Sequence, residues 1–374
     1  MNVPKIIISV GLIILVVGGI IYLNSQKAPR DTVGGNVEVK TVMGTEEKAK
    51  LYPTAKEITT PDGFINTTST SSGQATPITI GEFVGKKVVL LDIWTYSCIN
   101  CQRTTPYLNA WYEKYKDKGL VIIGLHTPEF EFEKVYQNVL EATERMGIKY
   151  PVVLDNDFST WNAYQNRFWP RKYLIDIDGY VVYDHIGEGA YLETEMKIRE
   201  LLLERTQVLG DTTVGISDSL AVSDVPQTTI AARSPEAYFG SLRNEYLANG
   251  TPGRQGEQKF SLPRTFMRDA LYLGGAWVIN PEFAEAVSDA SIVYKYNAKE
   301  VYIVADADMP IEVEVLQDGK PVGTTAGADV NVSGIVTMKE SRLYKLIRNM
   351  ESGEHTLELK VRGTGVRFYA FTFG

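Results

Sequence analysis

The chain has 374 residues, with 46 acidic against 38 basic side chains and a formal net charge of −8. That balance, with no basic stripe, excludes the electrostatic footprint of a nucleic-acid binder. Besides two cysteines there are only His126, His185 and His355, a poor supply for a structural zinc site, which needs four ligands.

Ile6 to Leu23 form an uncharged apolar run of 18 residues after Lys5, long enough to span a bilayer and longer than the apolar part of a signal peptide. No small-x-small cleavage site follows it. Residues 1–24 therefore read as an uncleaved single-pass membrane anchor in preference to the alternative, a cleaved signal. Residues 25–75, rich in Thr, Ser, Gly and Lys and loosest at Asn66 to Gly73, read as a flexible tether.

The apolar run Val88-Val89-Leu90-Leu91-Asp92-Ile93 predicts a buried strand, and directly after it comes Trp94-Thr95-Tyr96-Ser97-Cys98-Ile99-Asn100-Cys101. Leu108, Trp111, Tyr112 and Tyr115 then share one helical face, which puts Cys98 at a helix start and Cys101 one turn in. Free N–H groups and the positive end of the helix dipole favour a thiolate at such a place. As a structural staple the pair would close a loop too short to stabilise much, so the pattern favours a two-electron redox switch. Asp92, between Leu91 and Ile93, is predicted to be desolvated and suited to take a proton from Cys101; a buried acid held by backbone hydrogen bonds is the alternative.

These residues resemble the thioredoxin superfamily, and within it the membrane-tethered thiol-disulfide oxidoreductases of the TlpA and DipZ type. Asp92 lies six residues before Cys98, Trp94 four before it and Pro106 five after Cys101, where the family keeps a buried acid, an active-site tryptophan and a helix-kinking proline. The resemblance implies a cis-proline facing the cysteines, supplied by Pro170 in Arg167-Phe168-Trp169-Pro170-Arg171, with Trp169 and Pro170 orienting the substrate. It also implies the hairpin that follows, read here around Asp178-Gly179.

Between Gly124 and Pro170 lie a predicted helix near Val135 to Met146 and a strand at Val152-Val153-Leu154, the insertion of the TlpA-like branch. Glu129 and His126 follow the strand Val121 to Leu125; Glu129 stands as a proton shuttle or, equally, a loop-capping carboxylate. The redox domain is thus drawn at 76–208 and a linker at 209–232. From 233 to 374 the period changes to alternating segments such as Ile311 to Val315, Thr356 to Val361 and Val366 to Phe373, which predict an all-β, jelly-roll-like sandwich. This sandwich resembles the carbohydrate-binding-module-like domain of DipZ-type proteins. Its aromatics, Trp277, Tyr294, Tyr296, Tyr302, Tyr344 and Tyr369, are read mainly as packing and, as the minor alternative, as a sugar platform.

The fold expected is an α/β thioredoxin fold with an inserted helix and strand, then the sandwich, behind a single membrane helix. The function expected is extracytoplasmic reduction of protein disulfides by Cys98 and Cys101, with Asp92, Trp94, Trp169 and Pro170 in support, no cofactor and no metal. An oxidase or isomerase using the same residues is the nearest alternative, and a non-catalytic envelope module binding glycan or protein a more distant one. DipZ-type proteins import electrons through several membrane helices; with one hydrophobic span here, a separate membrane partner is expected to give or take them. The sandwich is expected to decide where or with whom the redox domain works, apart from the exchange step itself.

Overall fold

A computed structural model of the chain describes residues 43–67, 76–211, 215–217, 219–225 and 233–374. The predicted anchor at 6–23 lies outside them, and among the described residues no helix is long and apolar enough to cross a membrane.

The first part is a six-stranded mixed sheet in the order β1-β4-β3-β2-β5-β6. Its strands are β1 (Gly63–Ile65), β2 (Val88–Trp94), β3 (Leu120–His126), β4 (Val152–Leu154), β5 (Arg171–Ile175) and β6 (Val181–Ile186). Strand β2 is central and buried along all its length, so it reads as a continuous apolar run. It pairs parallel with β3 and antiparallel with β5. Alternate side chains go to opposite faces. Val88, Leu90 and Trp94 pack with Leu108, Trp111 and Tyr115 of α2 (Ile99–Tyr115) and with Ile198 and Leu202 of α4 (Tyr191–Leu209). Val89, Leu91 and Ile93 pack on the other face with Ile123, Trp161 and Tyr173. Full burial of each such side chain contributes about 2 kcal/mol, which anchors β2 on both faces.

The insertion is present as α3 (Tyr136–Arg145) and β4, which extends the sheet beyond β3. The predicted hairpin turns at Gly179, whose φ of 88° is the left-handed conformation that glycine supplies without strain. Asp176 fastens the turn by accepting from the backbone N–H groups of Asp178 and Tyr180.

Two boundaries differ from expectation. Residues 43–66, placed in the tether, belong to the α/β sheet: α1 (Thr45–Leu51) precedes β1, which pairs antiparallel with β4. The ammonium of Lys48 is buried among Asp176 at 2.8 Å, Asp178 at 2.6 Å and Glu204. Burial alone lowers its pKa, but the three carboxylates more than reverse this. A polar composition hid this docking because the segment is held by ion pairs and edge pairing and has little apolar periodicity. Within the expected linker, Leu220, Ala221 and Val222 are buried against the α/β core, and Glu195 accepts from the N–H groups of Ala221 and Val222.

The second part is all-β and antiparallel. Its strands are β7 (Ala237–Tyr238), β8 (Gly256–Phe260), β9 (Leu271–Ile279), β10 (Ala284–Ala307), β11 (Ile311–Gln317), β12 (Lys320–Pro321), β13 (Ile335–Met338), β14 (Arg342–Val361) and β15 (Val366–Phe373). Strands β10 and β14 pair along most of their length, with register shifts near Ala298 and Val301. Such bulges bend strands, and one apolar cluster runs through both halves of β10, from Ile292 and Tyr294 to Ile303 and Ala305. All six aromatics weighed as a sugar platform are buried, so they are packing residues.

Candidate active site

Cys98 is the extended residue just before α2 (φ −76°, ψ 122°) and is partly exposed; Cys101, one turn in, is buried. Both are free thiols. The carbonyl of Cys98 accepts from the N–H of Gln102, starting the helix, and the Gln102 side chain donates to the carbonyl of Tyr96. Trp169–Pro170 is a cis peptide bond, and the Trp169 carbonyl lies 4.0 Å from the Cys98 sulfur. The Trp169 indole donates to the Thr127 carbonyl at 3.0 Å and packs on Trp161. Trp94 is buried with its ring edge-on to His126. Gly124 makes room for it, since a Cβ there would come within 2.9 Å of the Trp94 indole nitrogen.

Beneath the dithiol lies a buried acid–base pair. Asp92 stands directly across from Lys172 in the β2–β5 ladder, and both are almost fully buried. Burial pushes the Asp92 carboxyl up to about 7, with the Lys172 charge pulling the other way. Lys172 is itself lowered by burial, against the pull of Asp92, Cys101 and Glu188, and it donates to the Gly187 carbonyl. The Cys101 thiol is pushed well above its ordinary value, chiefly by burial, then by its hydrogen bond and proximity to Cys98 and by the Asp92 charge. Asp92 Oδ1 has no hydrogen-bond partner among the described residues, so the carboxylate has room to accept a proton.

Sequence reasoning missed Lys172, because a strand pairing is not visible from one strand. It also missed Glu133. This fully buried carboxylate accepts from the N–H and hydroxyl of Ser97 at 3.1 and 2.7 Å and from the N–H groups of Glu129 and Phe130 at 2.6 and 3.1 Å. It therefore ties the cysteine loop to the loop after β3. Burial raises its pKa, opposed by hydrogen bonds from Thr95 and Ser97. In Phe130-Glu131-Phe132-Glu133 nothing marks which acid turns inward.

Glu129 is placed differently from a proton shuttle. Its carboxylate accepts from Tyr238 at 2.9 Å and pairs with Arg243 at 2.7 Å, both in the all-β part. His126 is fully buried, stacks on Tyr96 and is lowered to about 3 by burial, which keeps its ring neutral.

The all-β part packs directly on the cysteine loop. Ile99, between the two cysteines, is buried in a cluster with Phe130, Tyr302, Val304, Leu343 and Tyr369. Tyr96 donates to the Ser341 carbonyl, and Arg103 of α2 pairs with Glu300 at 2.9 Å. Asp176, Asp178 and Glu204 are the metal-compatible carboxylate group found among the described residues, and the Lys48 ammonium already sits among all three.

Residues 52–200 match the Redoxin family model, and residues 234–374 match the model described as a thioredoxin-like C-terminal domain. Protein DipZ of Mycobacterium bovis is 36% identical over 333 residues, which are 88% of this chain and 43% of that protein; DipZ of Mycobacterium tuberculosis matches equally. The chain thus carries a Redoxin-type part followed by a thioredoxin-like C-terminal domain, and over most of its length it is similar to DipZ. It spans less than half the length of those DipZ relatives. Thiol-disulfide oxidoreductase ResA of Bacillus thuringiensis is 33% identical over 115 residues, 31% of this chain and 64% of that protein. The solution structure of a thioredoxin-like protein in its oxidized form is 24% identical and covers 41% of this chain and 98% of its own, with a TM-score of 0.37. The Redoxin match starts at residue 52, inside the stretch first drawn as tether.

Proposed function

We propose that this chain performs extracytoplasmic thiol-disulfide exchange and reduces disulfides of substrate proteins. The observation that carries this reading is a partly exposed Cys98 at the start of a helix, one turn from a buried Cys101 whose thiol lies beside Asp92 and Lys172. The Cys98 thiolate attacks one sulfur of the substrate disulfide; a Cys98–substrate bond forms, the substrate S–S bond breaks, and the departing thiolate takes up a proton. Asp92 then accepts the Cys101 proton, and the Cys101 thiolate attacks the Cys98 sulfur. The mixed disulfide breaks, the second substrate thiol leaves, and two electrons have passed from the dithiol to the substrate. Trp169 and Pro170 flank the nucleophile on the open side and orient the substrate strand; Trp94 packs beneath.

The cycle uses no cofactor within the chain, and a separate membrane partner restores the dithiol. Residues 6–23 anchor the chain in the cell membrane with both folded parts outside the cytoplasm. In this reading Cys101→Ala accumulates substrates as mixed disulfides on Cys98, read by non-reducing electrophoresis, while Cys98→Ala traps none. Faster alkylation of Cys101 than of Cys98 in the reduced protein would reverse the two roles, and failure of the wild type to reduce insulin would remove the reading.

A further inference from the structure

Where α2 meets the all-β part, a cleft of about 690 Å³ opens next to Ile99, the residue that follows Cys98, and is within the size range of ligand-binding sites. Its α/β wall includes Ile99 and Gln102 from the first turn of α2. Six basic side chains line it, Arg103, Arg145, Lys299, Arg342, Lys345 and Arg348, against the acidic side chains Glu300 and Asp329, an excess of four positive side-chain charges in a chain whose net charge is −8. Glu300 is shared by Arg103 and Arg348, and Asp329 is taken by Arg342. The side chains of Arg145, Lys299 and Lys345 have no carboxylate partner among the described residues. A solvated charged face in an acidic protein would follow the overall sign. Here the sign reverses in a concavity whose two walls come from different domains, and concave walls of one charge concentrate a counter-charged ligand.

We propose that this cleft receives an acidic segment of the substrate polypeptide, flanking the disulfide that Cys98 attacks. The substrate class is inferred from the exchange reading above, and rests on it. A chain joined to Cys98 must leave the sulfur across one of the surfaces around it, and the cleft begins at the next residue, Ile99. Carboxylates laid there meet Lys299 and Lys345 on the β wall and Arg145 at the end of α3. The recessed Arg103, its side chain only 10% exposed, suits an inserted strand better than a flat lipid surface.

The test uses the full chain and two synthetic peptides, each closed by one disulfide, one flanked by Glu and the other by Lys in the same positions. The Glu peptide is expected to be reduced with kcat/KM about tenfold higher at low salt, a typical steering effect. Salt near 0.5 M should erase most of the difference. Lys299→Glu with Lys345→Glu, which takes the local excess from four to zero, should abolish the wild-type preference, and Lys345→Gln alone should narrow it, with thermal unfolding reporting that each variant is folded. Equal kcat/KM for both peptides with the wild type, or a preference that survives the double substitution, overturns the proposal. Fluorescence anisotropy with the Glu peptide carrying Ser for Cys reads the cleft without exchange. Tight binding of that peptide by a protein that cannot reduce hydroxyethyl disulfide would retain the cleft and dismiss the exchange reading. Reduction of hydroxyethyl disulfide without any preference for the Ser-substituted Glu peptide over its Lys counterpart would do the opposite. Binding of phosphatidylglycerol vesicles through Lys299 and Lys345 in place of the peptide would make the cleft a membrane-facing surface and also overturn the proposal.

Discussion

The two parts of the chain bury different chemistry. Inside the α/β part lie Asp92, His126, Glu133, Asp155 and Lys172, each nearly inaccessible to solvent. In the all-β part the interior is aliphatic and aromatic, and Asp306 is the buried acid found among the described residues of 233–374. Even that acid lies at the boundary: it accepts from Ser341 and Arg367, and the Ser341 carbonyl in turn receives Tyr96 of the cysteine loop. Burying an ion costs several kcal/mol unless partners offset it, so a fold keeps such groups chiefly where they are used. The contrast assigns the chemistry to the α/β part. The contact through Ile99 and Tyr96 shows that the β part nevertheless borders the site.

The largest effect should come from Cys98→Ser, which removes the nucleophile and should reduce insulin reduction to background while leaving the fold intact by circular dichroism. Residual turnover would mean that Cys101 starts the reaction, and with it the contrast between an exposed and a buried sulfur would lose its meaning. Next is Asp92→Asn. A carboxyl with a pKa near 7 accepts a proton only when ionised, so resolution of the mixed disulfide should speed up as pH rises through about 7 in the wild type. The Asn variant should lack that limb and be slower by roughly 10²-fold just above neutrality, the lower range of general-base effects. Lys172→Gln removes the charge that pulls Asp92 down and should move the same limb to higher pH. A stopped-flow profile that is unchanged in both variants would make the buried pair purely structural.

Glu133→Gln sharpens the comparison at the level of stability. The amide cannot accept at both ends, leaving buried N–H groups of Glu129 and Phe130 or Ser97 without a partner, at a cost of about 2–3 kcal/mol measured by denaturant unfolding. Exchange should slow as the cysteine loop loses its tie. The mildest change should be Tyr96→Phe, which deletes the hydrogen bond to Ser341 for about 1 kcal/mol. Ile99→Ala, by opening a void in the boundary cluster, should cost about 2–4 kcal/mol. If neither substitution alters unfolding, the two parts are independent and the packing of Ile99 carries no weight.

The spacing of Cys98, Cys101, Asp92 and Trp94 was legible because it is local: a buried strand must run apolar, its end must deliver the next residues to one edge of the sheet, and a helix face repeats every three to four positions. The hairpin at Gly179 and the alternating strands of the second part were legible for the same reason. Lys172 opposite Asp92 was not, since which residue faces which across β2 and β5 depends on a register that neither strand states alone. The inward turn of Glu133, the docking of Lys48 on Asp176 and Asp178, and the seating of Ile99 against Tyr302 and Leu343 join residues far apart in the chain. Those pairings exist only after the sheet has formed and both parts have packed, because single polar side chains and one exposed-looking isoleucine carry no periodicity of their own. The sequence by itself thus determined which sulfur chemistry is present and on what scaffold; the tertiary structure decided which charges lie under it and which surface stands beside it.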